Sequence, residues 1–347
     1  MQKTKILFLA LFAVLAIMAC RKDDPNTNTG GTTGGSGTGG GTGGGGGQQG
    51  EMIANLGDFW ESQKQGKIQQ LTATAGQYTE LTGAQGTKVT IYSNSLLLNG
   101  AVVTGSVDID LIEAYDKGDM LLMGLNTMGR DNFGNYRAMI SAGEFFFSAS
   151  QNGQALDINP NSPIQIATAA FPSADFNNDM IPLLLEEDTI VAGDSVWVPI
   201  DSVVMGNCQD SFMISLGQSN YCFQIGSNSR WTNCDYFANW GTALTGMTVN
   251  LPTTHDGVNT KVYISFDGLN LLTNLRYNSG GVFTLGSNYR VPVGQAVHLV
   301  VVAEQNGVLV HNIQALTVAN NQTLTLASTD ITGITAANLQ TQLSTLP

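Results

Sequence analysis

Short apolar runs that alternate residue by residue, each ended by a turn-forming pair, constrain this chain more than any other feature. Val107, Ile109 and Leu111 share one side of a stretch whose other side carries Asp108 and Asp110. Successive side chains on a strand point to opposite faces, so this period of two predicts a strand with one dry and one wet face. Lys88-Val89-Thr90-Ile91-Tyr92 and residues 261–266 repeat the pattern. Residues 144–149 read as a Phe-rich strand, and residues 164–167 as another. Asn99-Gly100, Asn152-Gly153, Asn306-Gly307 and Asn320-Asn321 fall between such runs and predict tight turns. Residues 212–216 and 221–225 flank a four-residue loop and predict a further hairpin. Residues 297–303, 308–318 and 323–326 continue the series. Helical spacing is confined to one turn at residues 59–64 and to Leu339, Leu343 and Leu346 near the end. The expected class is all-β, with two β-sandwich-like domains and a short C-terminal helix.

The strands fall into two blocks, 51–170 and 206–347. Between them, residues 171–205 carry Pro172, Pro182 and Pro199 with Asp175, Asp179, Glu186, Glu187 and Asp188, and read as an acidic connector. Ahead of the first block the chain is of low complexity: residues 30–50 hold 14 of the 41 glycines. Such a segment has little to bury and keeps high backbone entropy, so it is expected to be a flexible linker. The whole low-complexity stretch, residues 25–50, has twenty-six residues and spans roughly 28 Å.

The first residues form a processing signal. Lys3 and Lys5 precede an apolar run at residues 6–19, too short for a membrane span of ~20 residues and right for the core of a signal peptide. The run ends at Ala19-Cys20, which resembles a bacterial lipobox. The resemblance implies cleavage after residue 19 and acylation of Cys20, so that residues 20–50 become a lipidated tether. Lys22-Asp23-Asp24 is similar to the export signal of Bacteroidetes-type lipoproteins, which implies an outer-membrane lipoprotein facing the cell exterior. Further marks lie along the chain: Gly83 and Gly86, Val103-Thr104-Gly105, Asp119-Met120-Leu121-Leu122, Asn126-Thr127-Met128-Gly129, Ser141-Ala142-Gly143-Glu144-Phe145, and Trp231-Thr232-Asn233-Cys234-Asp235. Together they resemble Bacteroidetes-type surface lipoproteins in which a β-sandwich precedes a Trp-x-Asn-Cys-Asp region. That family has no assigned activity, so the resemblance implies architecture and place.

Composition excludes several functions. With 27 acidic and 14 basic residues, a net charge of −13, the chain is not a basic nucleic-acid binder. Three His leave little room for a multi-His metal centre. His298 and His311 lie in alternating strands and read as packed sheet residues, and His255 lies in a turn. No Gly-x-Ser-x-Gly elbow accompanies any Ser and His, so a hydrolase is the least supported reading. With Cys20 lipidated, Cys208, Cys222 and Cys234 remain, and one disulfide plus one free thiol is the simplest outcome. Asp175, Asn177, Asp179 and Glu186 stand at calcium-loop spacing. Met180, however, occupies the position that requires Gly, and Pro182 lies inside the loop, so the expectation is no metal. Trp231, Trp240 and Tyr236 form the densest aromatic cluster and are the candidates for stacking on a ligand. The expected function is a non-enzymatic binding, adhesion or structural module on the cell surface. It is tied to the membrane by lipid, needs no cofactor, and has a protein or glycan partner. Glycan capture for a polysaccharide-uptake system is the alternative.

Overall fold

The computed structural model describes residues 50–187, 195–200, 218–226, 231–286 and 289–347. Cys20, Lys22, Asp23, Asp24, Cys208 and the expected strand at 212–216 lie outside these residues. The fold is all-β. Among the described residues no helix is long and apolar enough to cross a membrane.

The central sheet contains β1 (Gln69–Ala75), β2 (Gly105–Ala114), β3 (Met128–Arg130), β4 (Tyr136–Gln151), β5 (Ile181–Glu187), β6 (Ser195–Pro199) and β7 (Trp231–Phe237). Its order is β1-β2-β4-β7-β5-β6-β3. β3 also pairs with β4, so the last five strands close a ring. Met139, Leu183 and Trp197 fill that ring, and the Trp197 indole N–H donates to the Asn126 carbonyl at 2.6 Å.

The alternation at Val107, Ile109 and Leu111 works as expected, since all three are buried. With Phe145 and Phe147 they face a small sheet made of Thr79–Thr82, Lys88–Ile91, Ile164–Ala167 and Cys222–Ile225. Val89, Ile91, Ile164, Ile166 and Phe223 supply the opposing layer. Each such side chain taken out of water contributes about 1.5–3 kcal/mol, which makes this two-sheet core the main reason the segment folds.

A second large sheet contains β8 (Met247–Asn250), β9 (Thr260–Phe266), β10 (Leu272–Ser279), β11 (Val282–Thr284), β12 (Ala296–Gln305), β13 (Val308–Thr317), β14 (Gln322–Thr325) and β15 (Thr332–Gly333). The order is β14-β8-β11-β10-β9-β12-β13-β15. Val262, Ile264, Val297, Leu299 and Val301 point into its own core. Val300 and Val302 point the other way, onto three helices. The helices are α1 (Leu56–Lys67), α2 (Lys117–Leu122) and α3 (Ala336–Leu343). α1 is longer than the one turn expected at 59–64. Asn55 caps it by accepting from the Asp58 N–H at 2.8 Å, and Leu56, Phe59 and Trp60 form a buried stripe at helical spacing.

Asn99-Gly100, Asn152-Gly153 and Asn306-Gly307 all have positive φ at both positions, as two-residue hairpin turns that match strand twist require. The stretch 171–205 differs from the expected connector. β5 and β6 run through it because Leu183, Val196 and Trp197 supply a buried apolar face that outweighs the acidic residues around them. β7, from the expected second block, pairs with β4 of the first and with β5. Residues 46–347 accordingly form one compact unit.

Candidate functional site

The site starts at an irregularity between β4 and β7. Asn233 pairs with Glu144 and Asp235 with Ser141, so Ala142 and Gly143 together stand against Cys234. This β-bulge re-aims the side chains on either side of it. Gly143 has φ +135°, and an added Cβ would lie 2.8 Å from the Phe145 ring, so the bulge requires glycine.

Around the bulge lies a buried polar cluster. Asn233 Nδ2 donates to Asp235 Oδ2 at 2.7 Å, and Ser141 Oγ donates to Asn233 Oδ1 at 3.3 Å. The Gly143 N–H donates to Ser141 Oγ at 3.0 Å. Asn270 Nδ2 donates to the carbonyls of Ser141 and Tyr115, both at 2.8 Å, tying the second large sheet to the bulge. Glu144 and Asp235 are fully buried. Among the described residues, neither oxygen of Glu144 has a partner, nor has Oδ1 of Asp235. Burial pushes the Asp235 carboxyl up to about 7. Burial, reinforced by the Asp235 charge, holds Glu144 well above the usual carboxylate range. The same two causes raise the Cys234 thiol well above its ordinary value, which makes it a poor nucleophile.

Ser141 and Ala142 also line a cavity of about 420 Å³, with Tyr115, Phe171, Tyr221 and Tyr236 among its walls. The phenol oxygens are largely used within the protein. Tyr115 OH shares a 2.7 Å hydrogen bond with Thr87 Oγ1 and accepts from the Ala169 N–H at 2.6 Å. Burial pushes this phenol up to about 12. Tyr221 OH accepts from the Asn177 N–H at 2.7 Å. The Tyr221 ring lies nearly parallel to Phe171 and Phe176, at 4.8 and 4.9 Å between centroids. Phe176, 42% exposed, is large and apolar at the surface. The cavity therefore offers chiefly ring surfaces, with the exposed Asp175 carboxylate also in its lining. Glu144 and Asp235 do not line it.

A third buried carboxylate explains the Gly83 mark. Glu113 accepts from Gln69 Nε2 at 2.7 Å and from the N–H groups of Gln85 and Thr87 at 2.8 and 2.9 Å. A Cβ at position 83 would lie 2.5 Å from this carboxylate. The loop thus closes on Glu113 and holds Thr87 against Tyr115.

The structure separates the three aromatic candidates. Trp231 and Tyr236 are five residues apart on β7 and point to opposite faces. Trp231 packs on Phe146 at 5.5 Å. Tyr236 lines the 420 Å³ cavity, and Trp240 lines a different cleft of about 380 Å³ with Arg137 and Arg290. The calcium-spaced residues sit in different local structures. Asp175 ends a 3₁₀ turn, Asn177 Oδ1 accepts from the Asp179 N–H at 2.9 Å, and Glu186 projects from β5 opposite Val196. Among the described residues no three His, Cys, Asp or Glu side chains are grouped to hold a metal ion. Cys222 is disulfide-bonded and its partner is outside the described residues, whereas Cys234 is free. Both line a smaller cavity of about 180 Å³. His298 Nδ1 lies 2.8 Å from Asp267, and His311 Nε2 is 3.0 Å from Gln342 Oε1. His255 is buried against Thr260 at 2.9 Å, and burial lowers its pKa.

Compared with known protein families and with curated proteins, the chain matches none.

Proposed function

We propose that this chain is a non-enzymatic binding module carried on the outside of a bacterial outer membrane by a lipid on Cys20. The leader, the Lys22-Asp23-Asp24 triplet and the Gly-rich segment support the placement. The observation that carries the binding role is the 420 Å³ cavity, lined by Phe171, Tyr221 and Tyr236 and continued outward by the exposed Phe176. Its size falls within the range of ligand sites. Its phenol oxygens at Tyr115 and Tyr221 are already paired inside the protein, which favours contact over chemistry. Glycan capture is the second reading, favoured by Trp240, whose ring lies on Phe266 at 5.6 Å while it lines a polar cleft.

The test is adhesion of cells displaying the full chain to host cells and matrix. Replacing Tyr236 and Phe176 by Ala together should lower retention about ten-fold, the loss expected when aromatic anchors are truncated. Display, measured by surface labelling, should not change. Equal retention by the double variant at equal display would overturn the binding role. Mass spectrometry showing an unmodified Cys20 would overturn the anchor.

A further inference from the structure

The cleft of about 380 Å³ that contains Trp240 lies between the β3–β4 turn, the end of β7 and the loop that carries Tyr289 and Arg290. Two guanidinium groups reach it in a chain with almost twice as many acids as bases. Arg137 is held in place: its guanidinium lies 5.0 Å above the Phe237 ring and donates to the Ala238 carbonyl at 3.2 Å. Arg290 is exposed. The acid in the lining, Asp131, spends its hydrogen bonds on its own turn, and the Arg137 charge also acts on it. Its Oδ1 accepts from the N–H groups of Phe133 and Asn135 at 3.0 and 2.9 Å, and Oδ2 faces Asn135 Nδ2 at 3.3 Å.

The cleft therefore has donors to spare. Each guanidinium carries five N–H groups in a planar fork suited to a carboxylate, and Arg137 spends one of them on Ala238. Asn239 adds an exposed amide that can both donate and accept, and Asn135, whose amide nitrogen is turned to Asp131, adds an exposed acceptor. Trp240 contributes a flat ring fixed from behind by Phe266, with only 18° between the planes. A fixed flat ring, hydroxyl-matching amides and a cationic fork describe a ligand that is ring-shaped, polar and acidic. The volume suits one or two such rings.

We infer that the Arg137, Trp240 and Arg290 cleft binds the carboxylate-bearing sugar units of an acidic polysaccharide. This rests on the binding-module reading and adds a ligand class at a cleft separate from the aromatic cavity. Arg290 and Arg137 take the carboxylate, Trp240 takes the ring face, and Asn135 and Asn239 take the hydroxyls.

The test uses the full chain in detergent on an array of uronic- and sialic-acid oligosaccharides beside their neutral methyl esters. Hits are titrated calorimetrically. The acids should bind at least about ten-fold more tightly than their esters, because the ester removes the charge from the hydrogen bonds. Arg290→Gln should cost a similar factor, as should Trp240→Leu with an unchanged melting temperature. Lys88→Gln, which removes an equal charge from a strand of the small sheet, should cost nothing. Absence of binding to every acid, equal binding of acid and ester, or full binding by Arg290→Gln would each overturn the inference. Failure here with adhesion still dependent on Tyr236 and Phe176 rejects the acidic sugar and leaves the binding module standing. Loss of the adhesion result with acid binding intact rejects the aromatic cavity instead.

Discussion

At position 144 a carboxyl group is fully buried, and neither of its oxygens is partnered among the described residues. Such a group is costly as an anion, so the folded chain holds it protonated, with Asp235 following at about 7. These values stand above those of unfolded carboxyls, near 4. The folded state therefore binds the extra protons. This contribution to stability is complete below about pH 4 and is lost as pH rises through the folded values. For Asp235, a rise from 3.8 to about 7 corresponds to roughly 4 kcal/mol. Glu144→Met keeps the volume and removes the charge. Its urea midpoint should change less than the parent's between pH 4 and pH 8, and at pH 8 it should be more stable by about 2 kcal/mol. The same pH slope in both proteins would show that Glu144 carries no such cost. Neither residue announces itself in the sequence. Both stand in short motifs, Ser-Ala-Gly-Glu-Phe and Asn-Cys-Asp, but the Ser141 to Asn233 bond spans 92 positions and leaves no local pattern.

Among the elements, legibility follows the range of the forces involved. The Asn-Gly turns and the dry face of β2 were readable because their causes are local: backbone conformations open to Asn and Gly, and alternation of side chains. α3 was readable from Leu339 and Leu343, both of which are buried. The sequence understates α1 because Gly57, Gly66 and several polar residues dilute its pattern, while the helix depends on a cap and on packing beneath the second large sheet. β5 and β6 are masked in the sequence because acidic residues and prolines outweigh a short apolar core, Leu183 and Trp197, which gains its value only inside the closed ring. The cap on α1 can be tested alone. Asn55→Ala removes the acceptor for the Asp58 N–H and should cost about 1 kcal/mol. Hydrogen exchange should show the first turn of α1 opening more often while the Val107 to Leu111 amides keep their protection. Unaltered exchange at residues 56–59 would mean that packing by Phe59 and Trp60 holds the helix without its cap.

At the scale of the molecule, the decisive fact is where β7 goes. Composition divides the chain near residues 171–205, yet β7 pairs with β4 on one side and β5 on the other. Cys222–Ile225 likewise pairs with Ile164–Ala167 and completes the small sheet. Sequence patterning detects strands but not their partners, because a strand's alternation is the same whichever edge it joins. The first block thus borrows strands from the second, and the aromatic cavity draws Tyr115 and Ile140 from one and Tyr221 and Tyr236 from the other. A chain ending at residue 205 would leave β4 without its β7 partner and the Phe145 layer without Phe223. Exposing that much apolar surface along an open strand edge removes the basis for a cooperative fold. Residues 51–205 expressed alone should show no sharp urea transition and rapid amide exchange. The full chain should unfold in one step, with tryptophan fluorescence and circular dichroism changing together. A sharp transition in the fragment, or two separated transitions in the full chain, would mean that the first block folds independently and that β7 docks onto a sheet already formed.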